Sequence, residues 1–281
     1  LNGNVSKPLF AIAENGYALA IMIPTLLKTT GCVLALSTIA CLAACQEKPK
    51  TTEATSALEA AGYWRAPEIT GVDQAGSNMF VVTGQTIANA RVRFSYAGNR
   101  DVGVTSDSKG RFRAELPSGP NGGLFDLSTE DSGRSMHADG RLFIPAGAPG
   151  KAVLMRPGAP SLSLFNDLTA VAVIDYDRAG ALAIAGRVAP TTAIEVVLNG
   201  EIRARTTSDD RGFYTATTQI EPPDETETAN SLSVMAGGKE TVRNFKDSRI
   251  AGDGDRITRF EDGWRVDWVL PGGGMQTTLV F

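Results

Sequence analysis

A chain of 281 residues is long enough for two folded domains. With 42% hydrophobic and 21% charged residues it is too apolar to be largely disordered, and a net charge of −4 leaves no basic field to hold nucleic-acid phosphates. The three cysteines, Cys32, Cys41 and Cys45, all lie near the start, so the rest of the chain has no material for a disulfide framework or a zinc cluster. Against 7% aromatic residues stand 30 glycines and 14 prolines, a balance that predicts many turns and short strands.

Residues 1–21 read as an upstream extension, with synthesis expected to begin at Met22. Residues 22–44 have the order of a secretory signal. Lys28 supplies the positive region, and Gly31 to Ala44 supplies an apolar run too short for the roughly 20 residues of a membrane-spanning helix. The run ends in Leu42-Ala43-Ala44-Cys45, which resembles the signal box of bacterial lipoproteins. That resemblance implies cleavage before Cys45 and acyl chains on its thiol, with the membrane as the partner of those chains. Gln46 after the cysteine is similar to the sorting position of outer-membrane lipoproteins. Residues 45–66 are otherwise small and polar, and are predicted to be a flexible tether.

An internal repeat follows. Met79-Phe-Val-Val-Thr-Gly84 aligns with Ala181-Leu-Ala-Ile-Ala-Gly186 at an offset of 102 residues. The same offset pairs Val92 with Ile194, Phe94 with Val196, Asp107 with Asp209, Gly110 with Gly212 and Phe112 with Tyr214. Because a one-residue slip would turn every side chain to the other face, this unbroken parity predicts the same strands in the same register. Asp first and Gly fourth in Asp107-Ser-Lys-Gly110 and Asp209-Asp-Arg-Gly212 suit a type I turn. Leu142 to Met155 and Val269 to Phe281 each read as a strand, a Pro/Gly loop and a closing strand, so the copies are expected to end alike, the last strand lying at a sheet edge.

The prediction is an all-β protein of two tandem antiparallel Ig-like β-sandwiches, residues 67–162 and 163–281, after the signal and tether. The pattern Thr-Gly, Ala-x-Val-x-Phe, Thr-Ser-Asp-x-x-Gly-x-Phe resembles bacterial Ig-like and carboxypeptidase-regulatory-like modules. The resemblance implies small sandwiches serving as spacers, adhesion units or binding units on envelope proteins. Expected partners are an envelope protein or a glycan, in an outer-membrane-anchored protein facing periplasm or exterior. An accessory lipoprotein of an export or surface-polymer assembly fits the same residues.

Sites for chemistry are few. His137 reads as a strand or turn histidine, no nucleophile–base motif is present, and neither catalysis nor a cofactor is expected. Asp247, Asp253, Asp255, Glu261 and Asp262 cluster in sequence, but their spacing matches no calcium loop. Trp264 and Trp268 share one face of a strand. They form either a ligand or partner surface that stacks sugar rings, or part of the core or the joint between modules, and the second reading is favoured.

Overall fold

The computed structural model describes residues 64–96, 101–164, 167–221, 228–247 and 254–281. The signal segment, its box, Cys45, the tether up to residue 63, and Asp253 lie outside the described residues. No helix among the described residues is long and apolar enough to cross a membrane.

The described residues form antiparallel β-sheets, as predicted, with a single 3-10 turn at Pro149–Lys151 among them. The first copy contributes β1 (Glu68–Gln74), β2 (Met79–Gln85), β3 (Arg91–Ser95), β4 (Val102–Thr105), β5 (Arg111–Pro117), β6 (Gly122–Asp131), β7 (Arg134–Pro145), β8 (Val153–Met155) and β9 (Leu162–Ser163). The second contributes β10 (Val173–Asp177), β11 (Ala181–Arg187), β12 (Ala193–Leu198), β13 (Glu201–Thr207), β14 (Phe213–Gln219), β15 (Thr228–Ala236), β16 (Lys239–Asp247), β17 (Arg256–Phe260), β18 (Gly263–Val269) and β19 (Met275–Val280). In the first sandwich a three-stranded sheet, β1-β2-β5, faces a six-stranded sheet, β4-β3-β6-β7-β8-β9. In the second, the six-stranded sheet β14-β11-β10-β19-β18-β17 faces the four-stranded sheet β13-β12-β15-β16.

The offset of 102 holds strand by strand for β2 and β11, β3 and β12, β5 and β14. It extends to hydrogen bonds. The Asp107 carboxylate accepts from the backbone N–H groups of Lys109 and Arg111, and Asp209 accepts from those of Arg211 and Phe213. These bonds, those of Arg111 first, hold the Asp107 carboxyl below its ordinary range. The Ser106 hydroxyl donates to Ile87 O and Ser208 to Ala189 O, both at 2.7 Å, so one buried serine braces the same loop twice.

Alternation sorts the side chains into two separate cores. Phe80, Phe94, Phe112, Phe125 and Leu142 fill the first, while Ile174, Ile184, Val196, Tyr214 and Leu232 fill the second. A third cluster joins the copies. Leu124, Phe143, Val153 and Met155 from the outer face of the first six-stranded sheet meet Val173, Ala185, Trp264, Val266, Trp268 and Val280 from the outer face of the second. The copies are therefore not independent beads: two six-stranded sheets lie face to face.

Two expectations about the ends are corrected. β8 extends the sheet of β7, whereas β19 inserts between β10 and β18, so the copies end differently. β19 is an interior strand, and every residue from Met275 to Val280 is buried. The reason is the joint, which covers one face of the strand while the second core covers the other.

Candidate functional site

Trp264 and Trp268 sit on β18 with Val266 between them, all on the joint face. Trp264 is 5% exposed and Trp268 0%, which removes them as a stacking surface for sugars and places them in the joint. The Trp268 indole Nε1 donates to Thr278 Oγ1 at 3.1 Å. Two cations approach the Trp264 ring, Arg259 at 5.2 Å and Lys151 at 5.9 Å from its centroid. Lys151 belongs to the first copy and Arg259 to the second, so this ring is contacted from both sides of the joint.

A buried carboxylate continues the network. Asp175 Oδ1 accepts from Thr278 Oγ1 at 2.7 Å, from Ser161 Oγ at 2.8 Å and from Gln276 Nε2 at 3.3 Å, and Oδ2 accepts from Ser161 N at 2.7 Å. All four donors are neutral. Burial pushes the Asp175 carboxyl above its ordinary range, against the opposing pull of these bonds. Ser161 lies in the segment connecting the copies, so Asp175 ties that connector to β10. Its repeat counterpart, Asp73 on β1, is exposed. The joint has taken a surface aspartate inside and replaced its water with hydroxyls and an amide.

At the rim of the joint, Arg141 on β7 spans the two copies. Its guanidinium is 2.9 Å from Asp126 of the first and 2.8 Å from Asp255 of the second. Asn121 Nδ2 adds a bond to Ile257 O at 3.1 Å. Beside this bridge lies a groove of about 700 Å³, walled by Asp126, His137, Asp139, Arg141 and Asp255. A smaller groove of about 420 Å³ shares Asp255 and adds Tyr96, Asn121 and Ile257. None of the described residues lining the larger groove is a serine, threonine, cysteine or lysine. Across the ladder from His137 stands Ser128, which is buried and does not line that groove. The groove sets carboxylates, a paired guanidinium and an imidazole beside the apolar Leu127, Val269, Leu270 and Pro271, a mixed lining suited to binding rather than to one kind of contact.

The clustered acids are dispersed by the fold. Asp247 is buried and accepts from Asn230 Nδ2 at 3.0 Å, Asp255 joins Arg141, and Glu261 and Asp262 form the turn between β17 and β18. Among the described residues no three of His, Cys, Asp and Glu gather as a metal set. Sequence reasoning missed Asp175, Ser161, Thr278 and Arg141. Two signals were present: the register pairing of Asp175 with Asp73, and the lack of polar alternation in Thr277-Thr-Leu-Val280, which marks a strand covered on both faces.

Fold and joint together define a protein of two antiparallel β-sandwiches sharing one buried interface. No protein-family model matches the chain, and no curated protein matches it. Among solved structures it is similar to a biofilm-associated protein, BSP domain, at 14% sequence identity and a TM-score of 0.23. The similarity covers 66% of this chain and 30% of that one, so the chain spans about a third of that protein's length.

Proposed function

We propose that this is a lipid-anchored cell-envelope protein whose joined sandwiches bind or brace a partner without catalysing a reaction. The observation that carries the reading is the joint: Trp264, Trp268, Asp175 and the Arg141 bridge lock two repeats into one body, as a spacer or binding unit requires. The order Lys28, apolar run, Leu42-Ala43-Ala44-Cys45 and polar tether supports anchoring at the outer membrane through acyl chains. Each buried CH₂ of such a chain contributes about 0.8 kcal/mol, and two or three chains hold a protein firmly. The groove at the rim of the joint, which sets charged side chains beside Leu127, Val269 and Leu270, supports an envelope protein or a glycan as partner.

The test is metabolic labelling of the full chain with a radioactive fatty acid, beside the Cys45→Ser variant. The wild type is expected to take up label and fractionate with membranes, while the variant stays unlabelled and uncleaved. Label and processing retained in Cys45→Ser would overturn the anchor. Hydrolysis of envelope glycans or esters by the purified protein, lost on His137→Ala, would overturn the non-catalytic reading.

A further inference from the structure

The second sandwich is unequal: six strands on one side, four on the other. β13 and β14 lie at the same corner, so the surplus falls at the opposite edge, beyond β16. Phe245 of β16 stacks on Tyr176 of β10, and Arg243 lies over Phe281 after β19. β18 and β17 therefore extend past β16 by two strand spacings, roughly 10 Å. Among the described residues no strand pairs with the outer edge of β16.

The first copy shows what such an edge takes. β7 and β16 are counterparts, each reached through a two-residue turn with positive φ, Ser132-Gly133 and Gly237-Gly238. The outer edge of β7 is filled by β8, with Phe143 opposite Val153, Leu142 opposite Leu154 and Arg141 opposite Met155. We infer that β16 is a strand-addition site for an extended, aliphatic segment of a partner polypeptide, bound antiparallel as β8 is bound to β7. This deepens the binding reading and does not depend on the lipid anchor.

The backbone groups that would make the bonds can be named. A two-residue turn makes Ala236 and Lys239 a hydrogen-bonded pair, so Lys239, Thr241, Arg243, Phe245 and Asp247 bond to β15. The N–H and C=O groups of Glu240, Val242 and Asn244 then point outward. The bond from Asn199 N to Ser231 O, on the far side of β15, has the alternation this requires. Val242 is 46% exposed and flanked by Glu240 and Lys246, so the edge pairs an apolar centre with charged ends that discourage indiscriminate pairing. Main-chain bonds supply affinity in this mode and alternate side chains supply selectivity. A second copy does not fit: the two-fold axis of an antiparallel β16–β16 pair stands perpendicular to the sheet, and the overhanging β17 and β18 of both molecules would occupy the same space.

Amide hydrogen exchange on the full chain, with a synthetic peptide of residues 151–156 as the probe strand, tests this. Without peptide, the amides of Glu240, Val242 and Asn244 are expected to exchange at least tenfold faster than those of Thr241, Arg243 and Phe245. Saturating peptide is expected to slow the even-numbered set at least tenfold. Val242→Pro and Asn244→Pro, each removing one outward N–H and no bond to β15, are expected to abolish that protection while the melting temperature holds. Even-numbered amides already protected in dilute protein would overturn the site, as would no slowing at millimolar peptide. Protection that grows with protein concentration alone would replace the partner strand with self-association. None of these outcomes depends on acylation at Cys45, so the two readings fail separately.

Discussion

At the scale of single residues, the two copies are held to one plan by turn chemistry. Gly110 and Gly212 have φ of +77° and +86°, and a Cβ at either would lie 2.0 Å from Thr86 O or 2.2 Å from Val188 O. Strain and backbone collision therefore act together there. Gly133 has a similar φ of +76° but nothing within 4 Å of a Cβ. Gly110→Ala and Gly212→Ala are each expected to destabilise by more than about 1 kcal/mol, and Gly133→Ala by less. Thermal melts of the three variants check the order, and equal losses would show that φ alone decides. The turns were legible in sequence because Asp and Gly act on neighbouring backbone. Asp175 was not, because nothing near it in sequence says that Thr278 and Ser161 will replace its water.

At the scale of elements, β10, β19 and the connector share one carboxylate. Asp175 has a raised folded-state pKa, so between its ordinary value and that raised value the folded protein holds more protons than the unfolded chain. The contribution of this group to stability is thus greatest at acid pH and falls as pH rises through the folded pKa. Asp175→Asn removes the titration. The wild-type unfolding free energy is expected to fall more steeply across that window than the variant's, by at most about 1.4 kcal/mol per pH unit for one proton. Denaturant titrations of both proteins from pH 4 to pH 8 measure the difference, and parallel curves would mean that the four donors outweigh burial. β19 carries a related lesson: as the last strand it reads as an edge, but insertion between β10 and β18 makes it central.

At the scale of the whole molecule, the joint couples two cores that could otherwise unfold separately. Trp268 is fully buried and hydrogen-bonded inside it. Trp268→Ala is expected to cost roughly 3–5 kcal/mol. The wild type is expected to unfold in one transition, and the variant to separate into two because the shared cluster no longer links the sandwiches. Calorimetry distinguishes the cases. Blue-shifted tryptophan emission, mostly shielded from acrylamide, is the matching optical signature, and quenching like that of free tryptophan would remove Trp264 and Trp268 from the joint.

What the sequence determined by itself is whatever depends on local spacing. Strand parity in Arg91-Val-Arg-Phe and its counterpart at Ala193, the Asp-x-x-Gly turns, and hence two copies of one antiparallel fold all follow from period two and turn chemistry. Tertiary structure alone decided which outward faces would meet. Leu124, Phe143 and the Trp264–Trp268 pair each read locally as an outer or an inner position, and only the apposition of two six-stranded sheets buries them together. The interior place of β19, the internalised Asp175 and the Arg141 bridge follow from that contact. It joins residues far apart in the chain, and no local pattern records such a contact.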